Sequence, residues 1–295
     1  MSNGFDFYSP LNLKSYNLNE SMRYQLNVLD QLDAFTRKHS ENVANISCRL
    51  CEHLHYSNQF IIHCTMCAYL HDIGKVFVPP EILQKNDKLT EEEFEKVKMH
   101  TIYGYDMCRK DPLLAPYANG ARYHHENLDG SGYPDGLRGS KIPLEAKIIK
   151  VADVYDALVS KRQYKSHMDI SETLKYVAEE SRTKKSHKKI VAALKKVVIE
   201  DINYEIYELS SYLDILKYNV KRLTEVDLLY KQSTNPSLLK NKEYYLKKIY
   251  SALEENETLI NYPLILKEYK NTLETKTTTI KKLFKEIKKV KKLRI

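Results

Sequence analysis

His124-His125-Glu126-Asn127-Leu128-Asp129-Gly130-Ser131-Gly132-Tyr133-Pro134 is the stretch around which this chain must fold, and it is read together with His71-Asp72-Ile73-Gly74-Lys75 upstream. Neighbouring side chains on a helix point about 100° apart, so two adjacent imidazoles cannot share one apolar face. They can both reach one cluster of metal ions. Gly130 and Gly132 permit a tight turn close to a ligand, and Pro134 stiffens its exit.

Eight glycines and nine prolines in 295 residues, with abundant Lys, Glu and Leu, predict an all-α protein. A hydrophobic content of 42% supports a real core, in one large domain or two smaller ones. The first ten residues are polar and lack a signal pattern, and no apolar run approaches the roughly 20 residues that span a bilayer, so a cytoplasmic protein is expected. The net charge of +8 is local: residues 270–295 hold ten Lys or Arg and two Glu, which accounts for all of it. With no aromatics interleaved for base stacking in that lysine face, neither a nucleic-acid polymer nor a membrane is an expected partner. Cys48, Cys51, Cys64 and Cys67 form two Cys-x2-Cys pairs, a spacing that elsewhere marks structural zinc. Both pairs sit in helical patterns without a glycine to build a metal knuckle, which favours core packing over zinc.

A helix is predicted to start near Asn19 or Ser21 and to run through Met22, Leu26, Leu29, Leu32, Phe35, His39, Val43, Ile46 and Leu50 to Leu54, with His39 facing inward. A second, about Asn58 to Asp72, carries His71-Asp72 at its end, and Ile73-Gly74-Lys75 breaks it and leaves Lys75 free to approach an anion. Thr90 followed by Glu91, Glu92 and Glu93 reads as a capped start of a helix that delivers His100. Another helix ends in His124-His125. Ile142-Pro143-Leu144 opens one whose apolar stripe (Ile148, Val151, Ala152, Tyr155, Leu158) is interrupted by Asp153 and Asp156, and a carboxylate buried there needs a positive partner. A helical stretch follows from Asp169 to about Val198. From Ile199 to Leu223, and again from Leu266 to Val290, apolar residues alternate spacings of three and four, with Lys276 at one seam position and breaks at Asn235-Pro236 and Pro263. Residues 199–295 therefore read as two long helices around a shorter one, either the core of an antiparallel bundle or a surface for a homodimer or protein partner.

The candidate ligands are His39, His71, Asp72, His100, His124, His125 and Asp153. Imidazole and carboxylate without thiolate suit Fe, Mn or a similar divalent ion. Seven donors are too many for one ion and suit two, with Asp72 as a bridge. A two-metal site clamps the attacking and leaving oxygens of a phosphoryl displacement, and Lys75, Arg162 and Lys165 offer cations for phosphate oxygens.

His39, His71-Asp72 and Asp153 match the H…HD…D pattern of the HD superfamily of metal-dependent phosphohydrolases. With His71-Asp72-Ile73-Gly74-Lys75, His100 and His124 to Pro134, residues 36–170 resemble the HD-GYP subfamily, whose members hydrolyse the bacterial second messenger cyclic di-GMP. The resemblance implies an HD-domain helical bundle; taken with the patterns on either side, it divides the chain into a poorly ordered lead-in over 1–20, a catalytic domain over 21–198 and a C-terminal long-helix, coiled-coil-like extension over 199–295. It implies one metal on His39, His71, Asp72 and Asp153 and another on His100, His124, His125 and the shared Asp72. Asp72 and Lys75 would serve catalysis. Lys75, Arg162, Lys165, Gly132 and Tyr133 would meet the substrate, while Glu126 and Asp129 would hold histidine N–H groups and the loop. The product would be linear pGpG, with GMP as a further step.

Some relatives carry a Glu for a third metal where this chain has Phe35, which implies two metals here. Lys161-Arg162-Gln163 stands in place of Asp-Arg-Pro, and Ser186-His187-Lys188 in place of Phe-Asp-Pro. His53, His55, His63, His167 and His187 match nothing in the motif. Two alternatives stay open: hydrolysis of another cyclic dinucleotide such as cyclic GMP-AMP, and a catalytically weak nucleotide-binding adaptor that signals through its helical tail.

Overall fold

The computed structural model describes residues 33–85, 87–160, 169–233, 235–253 and 262–295, the last stretch with side chains from residue 266. The lead-in over 1–20, the helix start near Asn19 or Ser21, and Arg162, Lys165 and His167 lie outside these residues. The described residues are helical and contain no strand, as the all-α reading expects. None of the described helices is long and apolar enough to cross a membrane.

Helix α1 spans Ala34–His53, and here the structure corrects the predicted continuous helix from about residue 20. Asp33 has extended dihedrals (φ −61°, ψ 154°), and its carboxylate accepts from the amides of Phe35 and Thr36 at 3.0 Å. It is therefore an N-cap, and no single helix runs through Asp33. Helix α2, Asn58–Leu70, is capped by Ser57 and ends at His71. A 3-10 turn, Ile73–Phe77, and short α3, Pro80–Leu83, lead to α4, Glu91–Lys98, which has the full capping box of Thr90 and Glu93. That helix stops before His100, which instead opens α5, His100–Lys110. Helices α6, Ala118–Tyr123, α7, Leu144–Val159, and α8, Ile170–Arg182, complete the part that carries the site.

The predicted single helix from Asp169 to Val198 is two. After α8 the chain turns through Lys184, at φ 57°, before α9, Lys188–Ser233. The amide of Lys185 bonds the Glu180 carbonyl at 2.8 Å and that of Lys184 the Ser181 carbonyl at 3.4 Å, a Schellman stop with lysine where glycine is usual.

Contacts divide the chain into two compact units, one reaching Val198 and including Leu293–Ile295, the other Ile199–Lys292. In the first, Leu50, Met66, Tyr69, Leu70, Ile73, Ile148, Ile149 and Leu174 are fully buried, together with Cys48, Cys51, Cys64, Cys67 and Cys108. Burial pushes the Cys108 thiol up to about 12 and holds Cys64 and Cys67 well above the usual range, so these side chains pack as small neutral hydrophobes. In the second unit, α10, Pro236–Leu253, and α11, Tyr262–Lys292, begin close to the two prolines. Ile202, Ile206, Leu213, Leu216, Val220 and Leu223 are buried along one face of α9, and Leu216, Val220 and Leu223 form a core with Leu246, Ile249 and Tyr250 of α10. Leu266 and Tyr269 of α11 pack against that core.

Close approach at two glycines brings the motif segments of the first unit together. A Cβ on Gly74 would collide with the backbone carbonyl of His100 and with the amide of Gly104, and one on Gly120 would come within 2.6 Å of the Cys67 carbonyl. The turn after Asp72 thus lies directly on the start of α5, and α6 on α2. Gly74→Ala is expected to lower the unfolding free energy by about 1–3 kcal/mol, because backbone has to move to admit the methyl group. Denaturant unfolding checks it, and a midpoint equal to the wild type would contradict this packing.

Candidate metal centre

Three of the ligand candidates stand at helix ends. His71 follows α2, and its Nδ1 is 2.7 Å from the Ala68 carbonyl. His100 follows α4, with Nδ1 on the Val97 carbonyl at 2.5 Å. His124 follows α6, with Nδ1 3.0 Å from the carbonyls of Gly120 and Ala121. The last carbonyls of a helix have no partner within it. A histidine placed there supplies the missing donor through Nδ1–H, which fixes the tautomer and turns a bare Nε2 away from the helix. His39 lies inside α1, where the carbonyls are already used, and needs a side chain instead: its Nδ1 is 2.7 Å from Asp156 Oδ2. Asp156 is itself held by Asn42 Nδ2 at 3.0 Å and Ser160 Oγ at 2.8 Å.

The Nε2 atoms converge on Asp72, which is 1% exposed. Oδ2 lies 3.3 Å from His71 Nε2 and 3.8 Å from His39 Nε2, while Oδ1 lies 3.5 Å from His100 Nε2 and 4.0 Å from His124 Nε2. Asp153 Oδ1 is 3.0 Å from His39 Nε2. Donor atoms fall into three mutually close sets, His39 with His71 and Asp153, His100 with His124 and His125, and His71 with Asp72 and His124, each within 4.8 Å. All seven sequence candidates are therefore brought together.

The donor set fits divalent ions. His71 Nε2 is buried and makes no hydrogen bond. Burial pushes His100 down to about 4, and burial and neighbouring imidazoles keep His124 and His125 well below the usual range, so all three offer lone pairs at neutral pH. Burial would raise Asp72 and Asp153, but His71 and Lys75 around the first, and His39 beside the second, hold both well below the usual carboxylate range. Burial disfavours charge on His39 as well, yet its bonds to Asp153 and Asp156 hold it up to about 9, so a cation at its Nε2 displaces a proton.

Several expectations change. Lys75 is not free: its Nζ donates to Asp72 Oδ2. Glu126 and Asp129 hold the loop and not the histidines. Glu126 accepts from the amides of Asp135 and Leu137 at 2.8 and 2.9 Å, and Asp129 from the amide and hydroxyl of Ser131 at 2.9 and 2.7 Å. Gly132 packs on the backbone of His125 to Asn127 with no room for a Cβ, and Tyr133 stacks on the His125 ring at 4.6 Å. Phe35 is 41% exposed. His53, His55, His63 and His187 belong to none of the three donor sets. Sequence reasoning missed two residues. Asp156 was visible only as a break in an apolar stripe, and Arg122, which clamps Asp135 with bonds of 3.0 and 2.8 Å, gave no signal.

The family model of the HD domain matches residues 23–187. The chain belongs to the HD-domain family. Its motifs are of the HD-GYP type; phosphohydrolases of this family are metal-dependent, and the three His and Asp sets are groups that could hold metal ions. The chain is 39% identical over 155 residues to a "Cyclic di-GMP phosphodiesterase" of Thermotoga maritima, covering 52% of this chain and 42% of that one. Over 160 residues it is 38% identical to "Cyclic di-GMP phosphodiesterase response regulator RpfG" of Xanthomonas campestris, covering 54% and 42%. It is 37% identical over 157 residues to "3'3'-cGAMP-specific phosphodiesterase 1" of Vibrio cholerae, covering 52% and 36%. The chain thus spans less than half the length of these relatives.

Asp156→Ala is expected to weaken metal binding about 10–100-fold, since His39 loses the acceptor that orients it. Chelator competition measures this. An affinity equal to the wild type would show that His39 needs no such support.

Proposed function

We propose that this chain is a metal-dependent phosphodiesterase that opens a cyclic dinucleotide, cyclic di-GMP first, to a linear product. The observation that carries the reading is the Asp72 carboxylate, whose two oxygens face two different groups of imidazoles. In this reading His39, His71, Asp72 and Asp153 hold one ion and His100, His124, His125 and Asp72 the other. The nitrogen and oxygen donors favour Fe or Mn. Such a pair, when bound, lowers the pKa of a water and neutralises charge on the phosphoryl oxygens.

The protein's own groups do the rest. Lys75, 23% exposed at its side chain and paired with Asp72, offers a cation to a substrate phosphate at this centre. Arg162 and Lys165 are proposed as further phosphate contacts, although they lie outside the described residues. Glu126, Asp129 and Gly132 fix the loop that carries Tyr133, whose ring borders the substrate beside His125. Phe35, in place of a carboxylate that would serve a third ion, favours stopping at pGpG. The catalytic domain is taken as residues 21–198, with 199–295 as an extension for a second copy or a protein partner.

Purified chain loaded with Mn or Fe is expected to convert cyclic di-GMP to pGpG, followed by chromatography. Asp72→Ala should slow turnover at least about a thousandfold, roughly 4 kcal/mol of barrier. No product despite bound metal and bound dinucleotide would make the chain an adaptor, and faster turnover of cyclic GMP-AMP would reassign the substrate.

A further inference from the structure

Next to the metal centre, helix α4 carries a ring for which the catalytic reading has no use. None of the residues of α4 is buried, and Phe94 is 43% exposed, so this side chain does not serve the core. A single exposed aromatic is ordinary. Phe94, however, continues a line of rings that starts at a ligand candidate. Tyr133 stacks on His125 with centroids 4.6 Å apart and planes at 26°, and Phe94 meets Tyr133 edge to face at 6.3 Å and 81°. Lys98 fixes the corner. Its ammonium lies 4.9 Å from the Phe94 centroid and 5.6 Å from that of Tyr133, and it is tethered to Glu95 at 2.6 Å. The helix is registered to the centre, because its Val97 carbonyl holds His100.

A partly exposed ring held in place by a second ring and a cation, one step outward from a phosphate-processing centre, has the chemistry of a nucleobase platform. Stacking on an aromatic face is tolerant of base identity, and a nearby cation adds attraction for a polyanion. We propose that Phe94 stacks a purine base of the substrate, the one flanking the scissile phosphate, with Tyr133 and Lys98 fixing the corner in which it sits. This rests on the cyclic-dinucleotide reading above.

The test uses the full Mn-loaded chain with two substrates, cyclic di-GMP and methyl p-nitrophenyl phosphate, a phosphodiester without a nucleobase. Phe94→Ala is expected to raise KM for cyclic di-GMP roughly tenfold, with kcat within about twofold. It should raise the Kd of the linear product pGpG in calorimetry by a similar factor and leave the rate on the base-free diester unchanged. Phe94→Trp should restore the wild-type KM. An unchanged KM and Kd in Phe94→Ala, equal losses on both substrates, or a tryptophan variant no better than the alanine one would overturn the proposal. Wild-type protein that cleaves only the base-free diester would instead defeat the cyclic-dinucleotide reading, and the platform with it.

Discussion

A carboxylate buried among imidazoles is the constraint on which this structure depends. Asp72 has almost no contact with water, and an anion in that position is strongly disfavoured unless positive charge faces it. Within the chain, Lys75 supplies one cation on Oδ2, and His71 lies beside the same oxygen. Oδ1 faces His100 and His124, and burial holds both imidazoles in their neutral form. One side of the carboxylate is therefore neutralised by the protein, and the other is surrounded by lone pairs. That imbalance is chemically costly in a core, and bound cations would relieve it.

The rest of the first unit can be understood as the means of delivering those lone pairs. Three helices stop where a histidine follows, and each stop leaves carbonyls that the imidazole Nδ1 can satisfy. Helix termination and ligand orientation are thus one event. His39 is the exception that supports the rule: inside α1 no carbonyl is spare, so Asp156 is recruited from α7. The separate helix ends can meet because Gly74 and Gly120 let backbones approach more closely than any side chain would permit.

Much of this was legible in the sequence, because metal ligands and helical periodicity both leave strong local signals. The seven candidates that the structure brings together stand out in the sequence by residue type and by inward or loop positions, and α2, α6, α7 and the long helices of the second unit follow their patterns closely. What was missed has physical causes. Asp33 caps α1 while the apolar spacing runs straight across it, so periodicity alone gave no stop. Lys184 takes the left-handed position in which glycine would have announced a helix end. The pairing of Lys75 with Asp72 depends on a 3-10 turn that places residues three apart side by side. Asp156 looked like a second Asp153, and only the geometry distinguishes the carboxylate that orients a histidine from the one that faces the donor set.

Anomalous difference density from manganese-soaked crystals of the full chain tests the role given to Asp72 most directly. Two peaks about 3.5–4 Å apart are expected, one beside each oxygen of Asp72, with His39, His71 and Asp153 around the first and His100, His124 and His125 around the second. A single peak, or a carboxylate that remains paired with Lys75 while manganese binds elsewhere, would contradict it.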